Sequence, residues 1–278
     1  MTSSATFAHA AATFRAAALA ALVGATGASL AADGASLRIT SFTASAAEFS
    51  GNFVWTTDAF QSFNMNALQA GGAGGASTDI FSADNWDLGL NFTAQTPNAM
   101  ATGNLVRFTD AMTQLATAGF NLDAVATPGS YVPAALPHYA NASAQQAGAF
   151  VLIDENGQPA SGTITFDVYY DLSVIAPAGA PSGYSQTVLS LLSSSDGGGN
   201  ASFSDGLLSS SFANGAGSIS GHFTWTFTLE AGQAAYYTLS GSAISSAVAQ
   251  VPEPATYLVM AMGLLGIGGL TRRRLNAA

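Results

Sequence analysis

The 278-residue chain contains no cysteine and no lysine, and only 8% of its residues are charged. Without cysteine there is no disulfide framework, so an exported form must hold together by its apolar core alone. A zinc site needs three or four convergent ligands, and three histidines without a thiol are too few to suggest one. The six cations are all arginine, set against 16 acids, and they are unevenly placed. Across residues 33–250, Arg38 and Arg107 stand against 15 acids, a net of −13. Phosphate binding needs a cationic footprint, so nucleic acid is excluded as a partner. An anionic membrane surface is disfavoured for the same reason. The polar exterior must be built from Ser, Thr, Asn, Gln and Gly, which suits a protein that lives among sugars.

The two ends carry what the middle lacks. Residues 255–270 form a run of 16 without a charge, roughly 24 Å long as a helix. That falls short of a hydrocarbon core of about 30 Å, but thinning of the bilayer and snorkelling arginines close the gap. Residues 255–271 are therefore predicted to be a transmembrane helix. Arg272, Arg273 and Arg274 follow it and resist translocation, which keeps them cytoplasmic and the large N-terminal part outside. Pro252 and Pro254 stop the helix from extending upstream, so Glu253 between them sits in extended, accessible chain.

Val251-Pro252-Glu253-Pro254-Ala255-Thr256, the apolar run and the arginine cluster resemble a PEP-CTERM sorting signal, here residues 251–278. The resemblance covers about a tenth of the chain, and that family is defined by its tail. It implies recognition of Pro252, Glu253 and Pro254 by an exosortase, a membrane transpeptidase. It also implies retention of the precursor at the inner membrane by Arg272, Arg273 and Arg274. The destination it implies is the envelope, surface or extracellular matrix of a Gram-negative bacterium that makes exopolysaccharide. It implies nothing about activity, because members carry unrelated domains in front.

The N-terminus agrees with export. Arg15 precedes the apolar stretch 16–23, and Ser29-Leu30-Ala31 places small residues where signal peptidase inspects. Residues 1–31 read as a signal peptide cleaved after Ala31, leaving 32–250 as the exported domain.

That domain shows the two-residue period of half-buried strands. Ile164, Phe166, Val168, Tyr170, Leu172 and Val174 alternate with Thr163, Thr165, Asp167, Tyr169, Asp171 and Ser173. Phe223, Trp225, Phe227 and Leu229 alternate with threonines, and 230–233 reads as a turn into Tyr236 and Tyr237, which must face opposite ways. Shorter alternations occupy 49–55 and 86–92. One helix is predicted, with Leu105, Phe108, Met112 and Leu115 on a single face and Gly119 ending it. The fold expected is all-β: an antiparallel β-sandwich with a short helical insertion and long loops between about residues 104 and 149.

Candidate chemistry is sparse. His138 and His222 make no recognisable triad with any serine, and no Gly-x-Ser-x-Gly elbow occurs. His222 reads as an exposed strand histidine. Asp167 and Asp171 share a strand face, but four residues separate their backbones by roughly 13 Å, beyond the spacing of about 5 to 9.5 Å used by glycosidase pairs. The acidic stretches from Asp84, Asp154 and Asp196 match no calcium loop and read as turns. No catalytic, cofactor or metal residue is assigned. The best hint is Tyr169, an aromatic on a polar strand face where a sugar ring can stack. The expectation is a non-catalytic surface or matrix protein associated with exopolysaccharide. The alternative is a secreted hydrolase acting on polysaccharide through an unrecognised site.

Overall fold

The computed structural model describes residues 33–47, 52–55, 60–69, 75–84, 91–109, 116–128, 137–175, 183–210 and 216–248. Every regular element among them is a strand. The first sheet has six strands, in the order β12 (Ala216–Leu229), β9 (Gly162–Ile175), β1 (Asp33–Ala47), β7 (Ala116–Ala126), β6 (Ala99–Thr109) and β5 (Asn91–Thr96). The second runs β11 (Asn200–Ser210), β10 (Tyr184–Ser195), β13 (Ala234–Ala247), β8 (His138–Ile153), β3 (Phe60–Leu68) and β4 (Ala76–Ala83). In this sheet β2 (Asn52–Trp55) pairs with the far end of β8, beyond the stretch that pairs with β3. All these ladders are antiparallel.

Alternation dictates the packing. In β9 the predicted apolar set, from Ile164 to Val174, is buried, while Thr163, Asp167 and Tyr169 point outward. In β12 the set Phe223, Trp225, Phe227 and Leu229 is likewise buried. Inward faces of the two sheets meet as one core, with Phe42 at an aromatic hub. Its ring centroid lies 5.9 Å from Phe166 and 5.8 Å from Trp225 in its own sheet, and 5.7 Å from Tyr237 of the opposite sheet. Each such buried ring contributes about 1.5–3 kcal/mol relative to exposure. The 230–233 turn forms as expected, with Gly232 at φ 85° and the Gln233 amide donating to the Glu230 carbonyl at 3.0 Å.

Among the described residues the predicted helix is absent. Leu105 and Phe108 lie in β6 and Gly119 in β7, joined through the antiparallel pairs Leu105↔Phe120 and Val106↔Gly119; Met112 and Leu115 fall outside the described residues. Much of the buried face of this region is small, with Ala99, Ala101, Ala118, Ala124 and Ala126 and with Gly103 in line, around the larger Leu105, Phe120 and Leu122. Alanine and glycine hide a two-residue period, and the spacing of Leu105, Phe108, Met112 and Leu115 imitates a helical one. The same small-residue face, Ala140, Ala142 and Ala144, lies in β8, so β7 and β8 occupy much of the stretch expected to be loop. Of the short alternations, 49–55 overlaps β2 over residues 52–55 and 86–92 overlaps only the start of β5, residues 49–51 and 86–90 lying outside the described ones.

Candidate functional site

The outward residues of β9 and β12 form a hydrogen-bonded ladder on the first sheet. Thr163 and Thr228 hydroxyls lie 3.2 Å apart, and Thr165 and Thr226 hydroxyls 3.0 Å apart. Further along, the Thr224 hydroxyl donates to Asp167 Oδ1 at 2.6 Å, and His222 Nε2 lies 3.1 Å from the same oxygen. Ser220 donates to Asp171 Oδ1 at 2.6 Å. Between the two carboxylates stands Tyr169. Its ring stacks on His222, with centroids 4.1 Å apart and planes 12° apart. The pair forms because Tyr169 and His222 are directly opposed in the ladder. Tyr169 remains 46% exposed and the His222 side chain 40%, so the stacked pair is open to solvent. On its other side Tyr169 pairs with Ser41, just past a register shift in β1.

The polar surface continues across the sheet. One register row reads Ser220, Asp171, Arg38, Asn121, Asn104 and Asn91, one residue from each strand. Arg38 is neutralised within it: its Nη2 donates to both oxygens of Asp123 at 2.6 and 2.7 Å, and its Nη1 to the Leu37 and Leu122 carbonyls at 3.1 Å. The row below reads Ser218, Ser173, Ser36, Asp123, Thr102 and Thr93. This face offers hydroxyls, amides and carboxylates over an area about 24 Å wide at roughly 4.8 Å per strand.

Thr224, His222 and Asp167 have the composition of a nucleophile–base–acid set, but their connections differ. In a working triad the acid orients one imidazole nitrogen while the other accepts the hydroxyl proton. Here Asp167 and Thr224 both meet Nε2, and Thr224 donates directly to the carboxylate. This geometry is not that of such a triad. Asp167 and Asp171 are each engaged by hydroxyls of β12.

The acidic turns act as backbone clamps. Asp154 Oδ1 accepts the Asn156 and Gln158 amides, both at 2.8 Å, and these bonds, that from Gln158 foremost, hold its carboxyl below the usual range. Asp196 Oδ2 accepts the Ala234 amide at 3.0 Å. Among the described residues no group of three or more His, Asp or Glu is placed to hold a metal ion. His138 is buried at the start of β8, which lowers its pKa.

Sequence reading singled out Tyr169 as an exposed ring and His222 as an exposed histidine, and both are so placed. What it missed was their contact and the join to Asp167. Those depend on the β9–β12 register, which no local pattern encodes. The sorting residues Pro252, Glu253, Pro254, Arg272, Arg273 and Arg274, the cleavage position Ala31 and the predicted membrane span 255–271 lie outside the described residues.

The described part is thus an all-β, two-sheet antiparallel domain with a polar outer face. The chain carries a PEP-CTERM protein-sorting motif, whose family model matches residues 250–274. That motif implies exosortase recognition and an exported precursor anchored through its C-terminus. No curated protein matches the sequence.

Proposed function

We propose that residues 32–250 form a non-catalytic surface or matrix domain that holds neutral exopolysaccharide on the outer face of the first sheet. The observation that carries this reading is the solvent-open Tyr169–His222 stack, flanked by Asp167 and Asp171. A flat aromatic face takes the C–H side of a pyranose ring, and carboxylates, hydroxyls and amides around it take its equatorial hydroxyls. The acid excess of this domain favours a neutral polymer, since an anionic one would be repelled. The proposal needs no metal and no cofactor.

Delivery precedes binding in this reading. A signal peptide ending at Ala31 directs export, and the helix 255–271 with Arg272, Arg273 and Arg274 holds the precursor at the inner membrane. An exosortase then processes the chain at Pro252-Glu253-Pro254, freeing the domain to join the envelope surface or extracellular matrix.

The test is retention of the exported protein on an immobilised neutral exopolysaccharide. Tyr169→Ala is expected to weaken retention at least about tenfold, the order lost when one stacked aromatic anchor is removed, with an unchanged circular dichroism spectrum. Equal retention of parent and variant would contradict the proposed site.

A further inference from the structure

The two outer faces of the sandwich differ in charge. The first sheet carries Arg38, Asp123, Asp167, Asp171 and His222 outward. Along the register rows of the second sheet, the outward positions among the described residues include no Asp, Glu, Arg or His. One central row reads Ser204, Ser190, Ser240, Gln145, Ser62 and Ser82; its neighbour reads Gly206, Val188, Ser242, Ser143, Asn64 and Ile80. The nearby acids turn away. Asp79 of β4 accepts the Thr93 amide of the first sheet at 3.0 Å, and Asp205 of β11 accepts the Tyr170 hydroxyl at 2.5 Å.

The same uncharged face carries more than half of the exposed large hydrophobic side chains. Ten large hydrophobic side chains are exposed among the described residues, and six stand here: Leu68, Ile80, Tyr184, Leu192, Leu208 and Tyr236. Ile80, Leu192 and Leu208 are the most open, at 70, 65 and 69%. The face measures about 24 Å across by about 33 Å along the strands, near 800 Å². That equals one partner's share in a standard stable interface.

We propose that this face is the self-association surface of the protein, seating a second copy in a two-fold, face-to-face dimer. Charge decides the occupant. Copies of a chain with net charge −10 repel one another through every face that carries carboxylates. The outer face of the second sheet lets them meet without opposing like charges, and it offers no counter-charge to a charged partner. Serine hydroxyls both donate and accept, so a two-fold axis through the central row sets it against itself with every group able to pair. The exposed Ile, Leu and Tyr side chains supply the driving force. The dimer leaves both Tyr169 faces outward, but the inference rests on charge and exposure alone and stands whether or not those faces hold sugar.

Sedimentation of the full-length chain tests it, with the parent expected to run as a dimer. Ser240→Asp sets two carboxylates against each other at the centre of the face. It is expected to weaken association at least about tenfold, while Ser173→Asp on the opposite face leaves the dimer intact. Should Ser240→Asp fail to fold, Ser240→Cys decides, since the chain has no other thiol. A bis-maleimide spanning about 10 Å, the spacing of packed sheets, is then expected to link Ser240→Cys chains in pairs but not Ser173→Cys chains. A parent that stays monomeric at every concentration overturns the proposal. So does a dimer indifferent to Ser240→Asp, or, where that variant does not fold, Ser240→Cys chains that stay unlinked.

Discussion

The Tyr170 hydroxyl of β9 donates to Asp205 Oδ2 of β11 at 2.5 Å, tying the two sheets together at one side of the sandwich. The ring reaches this position across Gly221, its ladder partner, where any Cβ would stand 2.1 Å from the hydroxyl. Burial, with the bond and charge of Asp205, holds the phenol well above its ordinary pKa, so it stays a donor throughout the physiological range. Tyr170→Phe is expected to destabilise the domain by about 1.5–3 kcal/mol, the range for a hydrogen bond to a charged group. Chemical unfolding of parent and variant measures it, and an unchanged midpoint would show that the bond contributes nothing.

Gly241 of β13 faces the inside of the sandwich, and a Cβ there would lie 2.4 Å from the Phe120 ring and 2.9 Å from a Leu37 methyl. Phe120 and Leu37 are buried in the core, so something there must shift to admit the Cβ. Gly241→Ala is expected to cost about 1–3 kcal/mol. Shortening the opposing ring with Phe120→Leu should recover part of that loss, because the two sites share one volume. Additive destabilisation in the double variant would contradict the contact.

Asp33 is buried at the start of β1, with no hydrogen-bond partner for either carboxylate oxygen among the described residues. Burial raises its pKa from 3.8 to about 6. The folded protein therefore binds this proton more tightly than the unfolded chain. The stabilisation is complete below pH 3.8 and is lost as pH rises through about 6. Asp33→Asn should remove this component of the slope and leave the protein more stable than the parent at pH 7. Melting temperatures from pH 4 to pH 8 check it, and an Asn variant less stable at neutral pH would mean that the carboxylate is ionised and paired.

In the proposed processing step the decisive residue is Glu253, the one charge in the short site before the apolar run. Glu253→Ala is expected to leave uncleaved chain at the inner membrane, while the parent found at the surface lacks Arg272, Arg273 and Arg274. Intact mass of the surface fraction reads both. A surface protein still ending at Ala278 would mean that the tail only anchors.

Legibility of the fold followed side-chain size. In β9 and β12 large residues fill the buried positions, so the period showed and the inward set was named correctly. In β6, β7 and β8 the buried positions are largely alanine, with Gly103 pressed against Met65, and the period vanished. The wrongly predicted helix is the direct result. Strand order was not readable at all, because β1 sits between β7 and β9 through pairings far apart in sequence, such as Arg38 with Asp171. The same gap concealed the candidate site. Tyr169 and His222 were each visible as exposed residues, but only the β9–β12 register brings them face to face.

Polymer retention and polymer length, measured together on one neutral exopolysaccharide incubated with the exported protein, test the central claim most directly. The polysaccharide is expected to be retained at a chain length that does not change with time, and Tyr169→Ala to release it. Shortening of the polymer, or the absence of retention by the parent, would contradict it.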